Sequence, residues 1–184
     1  MQKFNINNYV KIKLTEEGIN ILKKEHQDIL EYYNNNVDKN GYVQMKLMEV
    51  MNIFGEYCHL GNPNVPFETD IVITLEYTED KIDKEFSINN DVKIRLTEEG
   101  INVLKKQHEE MVNSYPNQPL VREMFGDFKM PEVDENGYTQ KRLWEVMKEF
   151  GQYCHIGNNN PPFELTIEIS EEDLKDIPMH GKGL

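Results

Sequence analysis

The sequence predicts an α+β protein made of two tandem copies of a small strand-helix-helix-strand module, packed as a pseudo-twofold pair. Three observations predict this fold class: a repeated sequence, an alternating apolar run in each copy, and an apolar stripe at helical spacing further along. Residues 10–20 and 92–102 are identical at ten of eleven positions. A second matched block starts at Asp38 and at Asp134. Matches of this length at fixed separation indicate an internal duplication.

The spacing between the matched blocks defines the domain organisation. The first blocks are 82 positions apart and the second blocks 96, so the second copy carries 14 additional residues. Those residues are rich in proline and glycine, which favours a loop. Residues 78–84 are charged and poorly patterned, which is typical of a tether. The predicted units are repeat 1 (7–77), a linker (78–89), repeat 2 (90–170, with the insertion at about 113–131) and a tail (171–184).

The start of each repeat predicts a strand followed by a helix. Val10, Ile12 and Leu14 alternate with lysines, which predicts a half-buried strand. Thr15 is a suitable N-cap, and the two glutamates after it suit the positive end of a helix dipole. Apolar residues at helical spacing extend this first helix to about residue 33, and Asn40-Gly41 predicts a tight turn.

A second, amphipathic helix is predicted before the closing strand. Its apolar residues recur at i, i+3, i+4 and i+7, so they are expected to form the core face. Gly55 is a plausible C-cap. A polar loop at 58–68 leads to the closing strand at 69–76, and the copy in repeat 2 predicts strands at 92–96 and 165–169. The expected core residues are Leu47, Val50, Met51, Phe54, Leu143, Val146, Met147 and Phe150.

Composition limits the classes of partner. The chain has 184 residues, 38% of them hydrophobic, and a formal net charge of −13. Nucleic-acid binding normally requires a basic surface, since affinity comes largely from counterions released off phosphates. Direct binding to nucleic acid, or to an anionic membrane, is therefore not expected. The acidity suits either a basic protein partner or a solvated surface, and a homo-oligomer stays open.

The sequence also predicts a cytoplasmic protein. No apolar stretch approaches the ~20 residues that a membrane span needs. The first residues lack the apolar core of a signal peptide. The two cysteines, Cys58 and Cys154, do not make a disulfide framework.

The loop after the second helix is the candidate site, and it occurs in both repeats. It combines aromatic rings, an imidazole, a thiol, amides and glycine backbone, which suit recognition of a small, nucleotide-like molecule. The alternative is that this loop only caps the helix and sets the turn into the closing strand. The candidate ligand-binding residues are Tyr57, His59, Asn62, Asn64, Tyr153, His155, Asn158 and Asn160.

Metal binding, cofactors and catalysis are not predicted. Both cysteines and four of the five histidines occur in matched positions, and two Cys with two His could form a zinc site. Against this, Cys58 and His59 are adjacent, and adjacent side chains in extended backbone point to opposite faces. A Cys next to a His is not by itself a nucleophile-base pair, because geometry decides that pairing. Trp144 replaces Met48 on the second helix and is interpreted as a core residue.

The chain resembles a family of small phage and prophage proteins with no established activity. The resemblance is carried by Leu14-Thr15-x-x-Gly18, by Leu47-x-Glu49-x-Met51-x-x-Phe54-Gly55, and by Gly61 with Pro66-Phe67-Glu68. It covers both repeats and excludes the linker, the insertion and the tail. It implies a phage origin, and with it the cytoplasm of the host cell.

Three functional hypotheses follow. The first is a non-enzymatic binding protein, acting in counter-defence, that sequesters a small polar nucleotide-like immune signal. The second is an acidic inhibitor that binds a host defence protein, for example a nucleic-acid-binding nuclease. The third is an enzyme that acts on a nucleotide through His59 or His155; the absence of catalytic motifs disfavours it.

Overall fold

The chain folds into a mixed α+β structure with two antiparallel sheets, in the computed structural model described here. The structure describes residues 1–59, 61–77, 80–115 and 119–177. The predicted α+β class is therefore confirmed. Within the described residues, no helix is long and apolar enough to cross a membrane.

Nine strands and six α-helices make up the described chain. The strands are β1 (Gln2–Asn5), β2 (Tyr9–Ile12), β3 (Val43–Lys46), β4 (Asp70–Tyr77), β5 (Asp80–Ser87), β6 (Asp91–Ile94), β7 (Thr139–Arg142), β8 (Thr166–Ile169) and β9 (Lys175–Asp176). The helices are α1 (Glu16–Glu25), α2 (Gln27–Asn36), α3 (Leu47–Phe54), α4 (Glu98–Asn113), α5 (Pro119–Phe125) and α6 (Leu143–Phe150). The four strands predicted from alternation correspond to β2, β4, β6 and β8, with ends that differ by at most two residues.

The two sheets exchange strands between the repeats. One sheet has the order β3-β2-β4-β5-β9 and the other has the order β1-β8-β6-β7. The strand β1 precedes β2 in the chain, but it pairs with β8 of repeat 2, so that Phe4 lies opposite Ile167. The strand β5 precedes β6, but it pairs with β4 of repeat 1, so that Phe86 lies opposite Ile71. Each of these two strands therefore precedes one repeat in the chain and belongs to the sheet of the other repeat.

The predicted linker is wrong as a tether, because residues 80–87 form strand β5. Its charges have partners on the neighbouring strands: Asp83 accepts from Lys11 Nζ at 2.6 Å and from Thr74 Oγ1 at 2.7 Å. Partial burial acts to raise the pKa of Asp83, but these two hydrogen bonds outweigh it and lower the pKa below the usual value. The charged residue Asp83 is thus accommodated in this strand because side chains of β2 and β4 bind it. Residues 78 and 79 lie outside the described residues.

The insertion and the tail also contain secondary structure that the sequence did not indicate. The insertion, expected as a loop, includes α5. The tail includes a 3₁₀ turn at Glu171–Asp173 and the short strand β9, which pairs with β5 at the edge of the sheet. Residues 116–118 and 178–184 lie outside the described residues.

The first helix of repeat 1 is broken where a single helix was expected. His26, with φ of −139°, separates α1 from α2, whereas α4 in repeat 2 continues without a break to Asn113. The predicted helix starts are confirmed, because Thr15 and Thr97 each accept a hydrogen bond from the N–H of the glycine three residues later. The predicted tight turn is also present, with φ of +87° at Gly41.

The core lies between the sheets and the pair of helices α3 and α6. All eight residues of the predicted apolar stripes are buried, with 1% or less of their surface exposed. Gly55 is the C-cap of α3, as expected; its φ is −57°, so it is not left-handed, and a 3₁₀ turn follows. A Cβ on Gly55 would lie 2.2 Å from the Met147 carbonyl oxygen, and one on Gly151 would lie 2.1 Å from that of Met51. These glycines therefore permit the close approach of α3 and α6.

Candidate functional site

The second candidate loop follows α6 and is held in shape by its own asparagine. Gly157 has φ of +91°, a conformation that glycine adopts without strain. Asn158 Nδ2 donates to the Tyr153 carbonyl oxygen at 2.8 Å, and Asn158 Oδ1 accepts from the Asn160 N–H at 2.9 Å. Both ends of the Asn158 amide are therefore used inside the loop.

The first candidate loop has the same internal hydrogen bonds. Asn62 Nδ2 donates to the Tyr57 carbonyl oxygen at 2.8 Å, and Asn62 Oδ1 accepts from the Asn64 N–H at 2.9 Å. The Tyr57 hydroxyl donates to Glu25 Oε2 at 3.2 Å. Leu60, within this loop, lies outside the described residues. For the two bridging asparagines the structure favours the alternative that they set the loop geometry.

The other candidate side chains lie on the surface of the loops. His59, Asn64, His155 and Asn160 are exposed, and Tyr57 and Tyr153 are half-buried. His155 Nδ1 lies 3.3 Å from the Ile156 carbonyl oxygen. These residues are accessible from solvent, and their role in binding stays a prediction.

A cavity of about 270 Å³ lies beside the second loop. Tyr153, His155 and Asn158 line it from repeat 2. Lys46 and Met48 line it from repeat 1, at the junction of β3 and α3. The cavity is thus formed at the contact between the two repeats, which brings together residues about 100 positions apart in the chain.

The charge of this cavity differs from that of the chain as a whole. The chain carries a formal net charge of −13, yet no aspartate or glutamate lines the cavity and Lys46 contributes a cation. Across the described ranges, the Lys46 ammonium makes no ion pair within 4.0 Å. An unpaired ammonium beside a partly enclosed space favours an anionic group there.

The first candidate loop does not contribute to this cavity. Tyr57, His59, Asn62 and Asn64 are not among its lining residues, so the two loops do not share it. Where Met48 lines the cavity, repeat 2 has the larger Trp144. Met48 and Trp144 make equivalent backbone hydrogen bonds in their repeats. The Met48 N–H donates to the Ile6 carbonyl oxygen at 2.8 Å, and the Trp144 N–H donates to the Ile88 carbonyl oxygen at 3.0 Å. Trp144 is half-buried against the core, as interpreted from the sequence.

The two thiols are buried and protonated. Burial raises the pKa of Cys58 and of Cys154 to about 12, because removal from water disfavours the thiolate. A thiol with such a pKa is a poor nucleophile at neutral pH. Cys154 therefore serves this site as an apolar wall.

Sequence reasoning missed the residues that repeat 1 contributes to the cavity. Asn7, Lys46 and Met48 belong to no motif, and they lie beside the second loop through the pairing of β1 with β8 and the packing of α3 against α6. The Met48-to-Trp144 difference is visible when the two repeats are aligned, and it is the sequence signal that these matched positions differ in side-chain size.

Within the described residues, no group of three or more His, Cys, Asp or Glu side chains is arranged to hold a metal ion. Comparison of the chain with protein-family models, with curated proteins and with solved structures found no match.

Proposed function

We propose that this chain is a non-enzymatic binding protein that captures a small anionic, nucleotide-like molecule in the cavity beside the second loop. One observation carries the proposal: in a chain of net charge −13, this cavity contains Lys46 and no carboxylate. A local reversal of charge of this kind is expected where an anion binds.

The size and lining of the cavity support a compact ligand. A volume of about 270 Å³ is near the lower end of small-molecule cavities, which span ~300–1,000 Å³. Lys46 would donate a charge-assisted hydrogen bond to a phosphate or carboxylate. Tyr153 and His155 would provide ring faces for a base. A mononucleotide combines both features.

The proposed biological role is sequestration of a nucleotide-like immune signal in the host cytoplasm. The resemblance to small phage proteins supports this role, and capture without turnover needs only a binding site. A ligand released by denaturing the purified protein should therefore be chemically intact.

We also propose that the two repeats arose by duplication and pack about an approximate twofold axis. The reciprocal strand pairings of β1 with β8 and of β5 with β4 support this. So do the reciprocal close contacts of Gly55 with Met147 and of Gly151 with Met51. The cavity then marks a position where the two repeats have diverged.

The test is titration calorimetry with adenosine monophosphate as the probe. Lys46→Gln should weaken binding by about 10–100-fold, since a hydrogen bond to a charged group contributes ~1.5–3 kcal/mol. Arg142→Gln is the matched control: Arg142 occupies the corresponding position of repeat 2 and does not line this cavity. Equal effects of the two substitutions would contradict the proposal.

A second variant fills the cavity with the residue that repeat 2 uses. Met48→Trp should abolish binding of adenosine monophosphate while circular dichroism stays unchanged, because the fold already accommodates Trp144 at the matched position. Unchanged affinity in Met48→Trp would place the ligand elsewhere. If the protein converts adenosine monophosphate to another product, it is an enzyme and not a protein that only captures its ligand.

The acidic-inhibitor hypothesis has one observation in its favour. Leu120 and Met124 on α5 are 78% and 72% exposed, which is unusual for large apolar side chains on adjacent turns. A basic host protein would be attracted by the net charge and anchored on α5. Such binding should weaken steeply with salt, since exposed charges are screened within ~8 Å at physiological ionic strength. Leu120→Ser with Met124→Ser should then abolish inhibition without affecting nucleotide binding.

A further inference from the structure

A cavity of about 460 Å³ lies on the outer face of the sheet that contains β2, β3 and β4. Tyr9 on β2, Gln44 on β3 and Thr74 on β4 line it, and we call it the sheet cavity. Val10 and Met45, which follow Tyr9 and Gln44 in the chain, are buried. Because successive side chains of a strand point to opposite faces, the lining residues lie on the face away from the core.

The sheet cavity is adjacent to the cavity beside the second loop. Tyr9 lies directly opposite Lys46 in the pairing of β2 with β3. Side chains in such opposed positions have Cβ atoms ~4.5–5.5 Å apart. Tyr9 lines the sheet cavity, Lys46 lines the cavity beside the second loop, and Asn7 lines both. A ligand bound at Lys46 is therefore within reach of both cavities.

The sheet cavity offers an aromatic ring and neutral hydrogen-bonding groups. Tyr9 is 50% exposed, so its ring is accessible to a ligand. Asn7 and Gln44 provide exposed amides. Lys11 also lines this cavity, but its ammonium lies 2.6 Å from Asp83 Oδ2 and is already paired. These groups suit a planar, polar and uncharged body, and a nucleoside has this chemistry.

The matched positions of repeat 2 are built differently. Asp91 and Arg142 lie opposite each other there, at the positions of Tyr9 and Lys46. Asp91 Oδ2 accepts from Gln140 Nε2 at 2.8 Å, and the described residues that line the cavity at this place include no aromatic ring. A strand of the same length forms with aspartate in place of tyrosine. The fold therefore does not require an exposed ring at this position.

The two adjacent cavities thus present two aromatic walls with one cation between them. Tyr153 and His155 form the first wall, and Lys46 lies in the same cavity. Tyr9, opposite Lys46, forms the second wall. One cation between two ring surfaces matches a phosphodiester, which carries one negative charge, between two nucleosides.

We infer that the ligand of the site proposed above is a dinucleotide that occupies both cavities. Its phosphodiester binds the Lys46 ammonium, one base packs against Tyr153 and His155, and the other nucleoside packs on Tyr9. This inference rests on the proposed function and extends it, since the mononucleotide is then only the half of the ligand that the first cavity takes.

The test compares two probes of equal charge by titration calorimetry on the full chain. The first is the dinucleoside monophosphate ApA, and the second is the methyl ester of adenosine monophosphate, which has the same phosphodiester charge and no second nucleoside. ApA should bind at least about tenfold more tightly than the methyl ester, because a base stacked on an aromatic side chain contributes enough for that factor. Binding of the ester with no gain for ApA would overturn this inference and leave the proposed function standing. Failure of adenosine monophosphate and both of these probes to bind would contradict the two together.

Substitutions of Tyr9 locate the second nucleoside. Tyr9→Ala should lower the affinity for ApA to that of the methyl ester, with the affinity for the ester itself unchanged. Tyr9→Phe keeps the ring and should retain most of the affinity for ApA. Tyr9→Thr, which preserves strand propensity, should match Tyr9→Ala and covers the case in which alanine disturbs β2.

The control is Tyr115→Ala, which removes a similarly exposed ring that lines neither cavity and should leave both affinities unchanged. Wild-type affinity for ApA in Tyr9→Ala and Tyr9→Thr would overturn the assignment of Tyr9. So would an equal loss of affinity for ApA and for the methyl ester, since Tyr9 would then support only the first cavity.

Discussion

Gly55 and Gly151 lie where the backbones of the two repeats meet. Their Cα atoms are close enough that a Cβ on either one would be 3.5 Å from the Cα of the other and far inside the contact distance of a carbonyl oxygen. Rigid backbone atoms cannot move aside as a flexible side chain can. The identity of these glycines is therefore set by packing between repeats, and not by a turn.

We expect Gly55→Ala to destabilise the protein by ~1–3 kcal/mol or more, because α3 and α6 must separate to admit the methyl group. Urea denaturation of the full chain measures the loss. Glu56→Ala, on the exposed side of the same turn, is the control and should stay within ~0.5 kcal/mol of wild type. A loss for Gly55→Ala no larger than that of the control would mean that the two helices are not held in close contact.

The buried thiols predict a dependence on alkaline pH. The pKa of Cys58 and of Cys154 is about 12 in the folded chain, against an ordinary value of 9.0. Below pH 9 both states retain the proton, and above it the unfolded state alone releases it, so stability falls as pH rises towards about 12. Native protein should resist iodoacetamide at pH 8, whereas unfolded protein reacts.

The control for this pH dependence is Cys58→Ala with Cys154→Ala. Tyr57 also has a pKa raised to about 12, by burial and by its carboxylate neighbours, so the thiols are not the only groups that titrate in this range. The double variant should therefore lose less stability between pH 9 and pH 12 than wild type. Identical slopes would show that the thiols are not buried in solution.

At the scale of elements, the start of α1 is tied to the end of the first candidate loop. Thr15 Oγ1 accepts from the Gly18 N–H at 3.3 Å and donates to the Val65 carbonyl oxygen at 2.6 Å. The Thr15 N–H donates to the Pro66 carbonyl oxygen at 3.0 Å. One hydroxyl thus caps the helix and fixes the loop.

Thr15→Ala should cost about 1–2 kcal/mol, since it removes the cap and leaves the Val65 carbonyl without its donor. Thr15→Ser keeps both hydrogen bonds and should restore most of that stability. Thermal unfolding of the two variants beside wild type measures this. If serine is no better than alanine, the methyl group and not the hydroxyl accounts for the effect.

The elements that sequence patterns predicted are those whose own residues bury an apolar face. The strands β2 and β4 and the helices α1 and α3 have this property. The missed strands are short or charged: β7 (Thr139–Arg142) buries only Thr139, and β5 has its charged Asp83 satisfied by residues of other strands. Their strand state depends on partners that local patterns do not contain.

The same holds for the candidate site: local sequence predicted the part that the second loop forms, and did not predict the part that repeat 1 contributes. The unusual composition of the second loop located one wall of the cavity, where Tyr153 and His155 lie. Lys46 could not be found this way, because only tertiary packing between the two repeats brings it there. The Asn158 amide is engaged within the loop, and its predicted role in binding stays a prediction.

At the scale of the whole molecule, the exchanged strands make the two repeats interdependent. Residues 7–77 lack β5 and residues 90–170 lack β1, so neither sequence repeat contains a complete sheet. Each would also expose the glycine-containing face that packs against the other. The repeat boundaries predicted from the sequence therefore do not coincide with units that are complete in the structure.

The strand exchange predicts that a substitution in β1 destabilises the sheet of repeat 2, and that one in β5 destabilises the sheet of repeat 1. Phe4 is 1% exposed and lies opposite Ile167, so Phe4→Ala should cost ~3–5 kcal/mol and open the edge of the repeat 2 sheet. Hydrogen exchange should accelerate more at the amides of β8 than at those of β4. Phe86→Ala is the matched substitution and should give the reverse, with faster exchange in β4, because Phe86 lies opposite Ile71. If Phe4→Ala instead opens the sheet that contains β2 and β4, then β1 pairs with repeat 1 and the strand exchange is absent in solution. Equal acceleration in both sheets would mean that the chain opens as one cooperative unit, with no separate edge at β1.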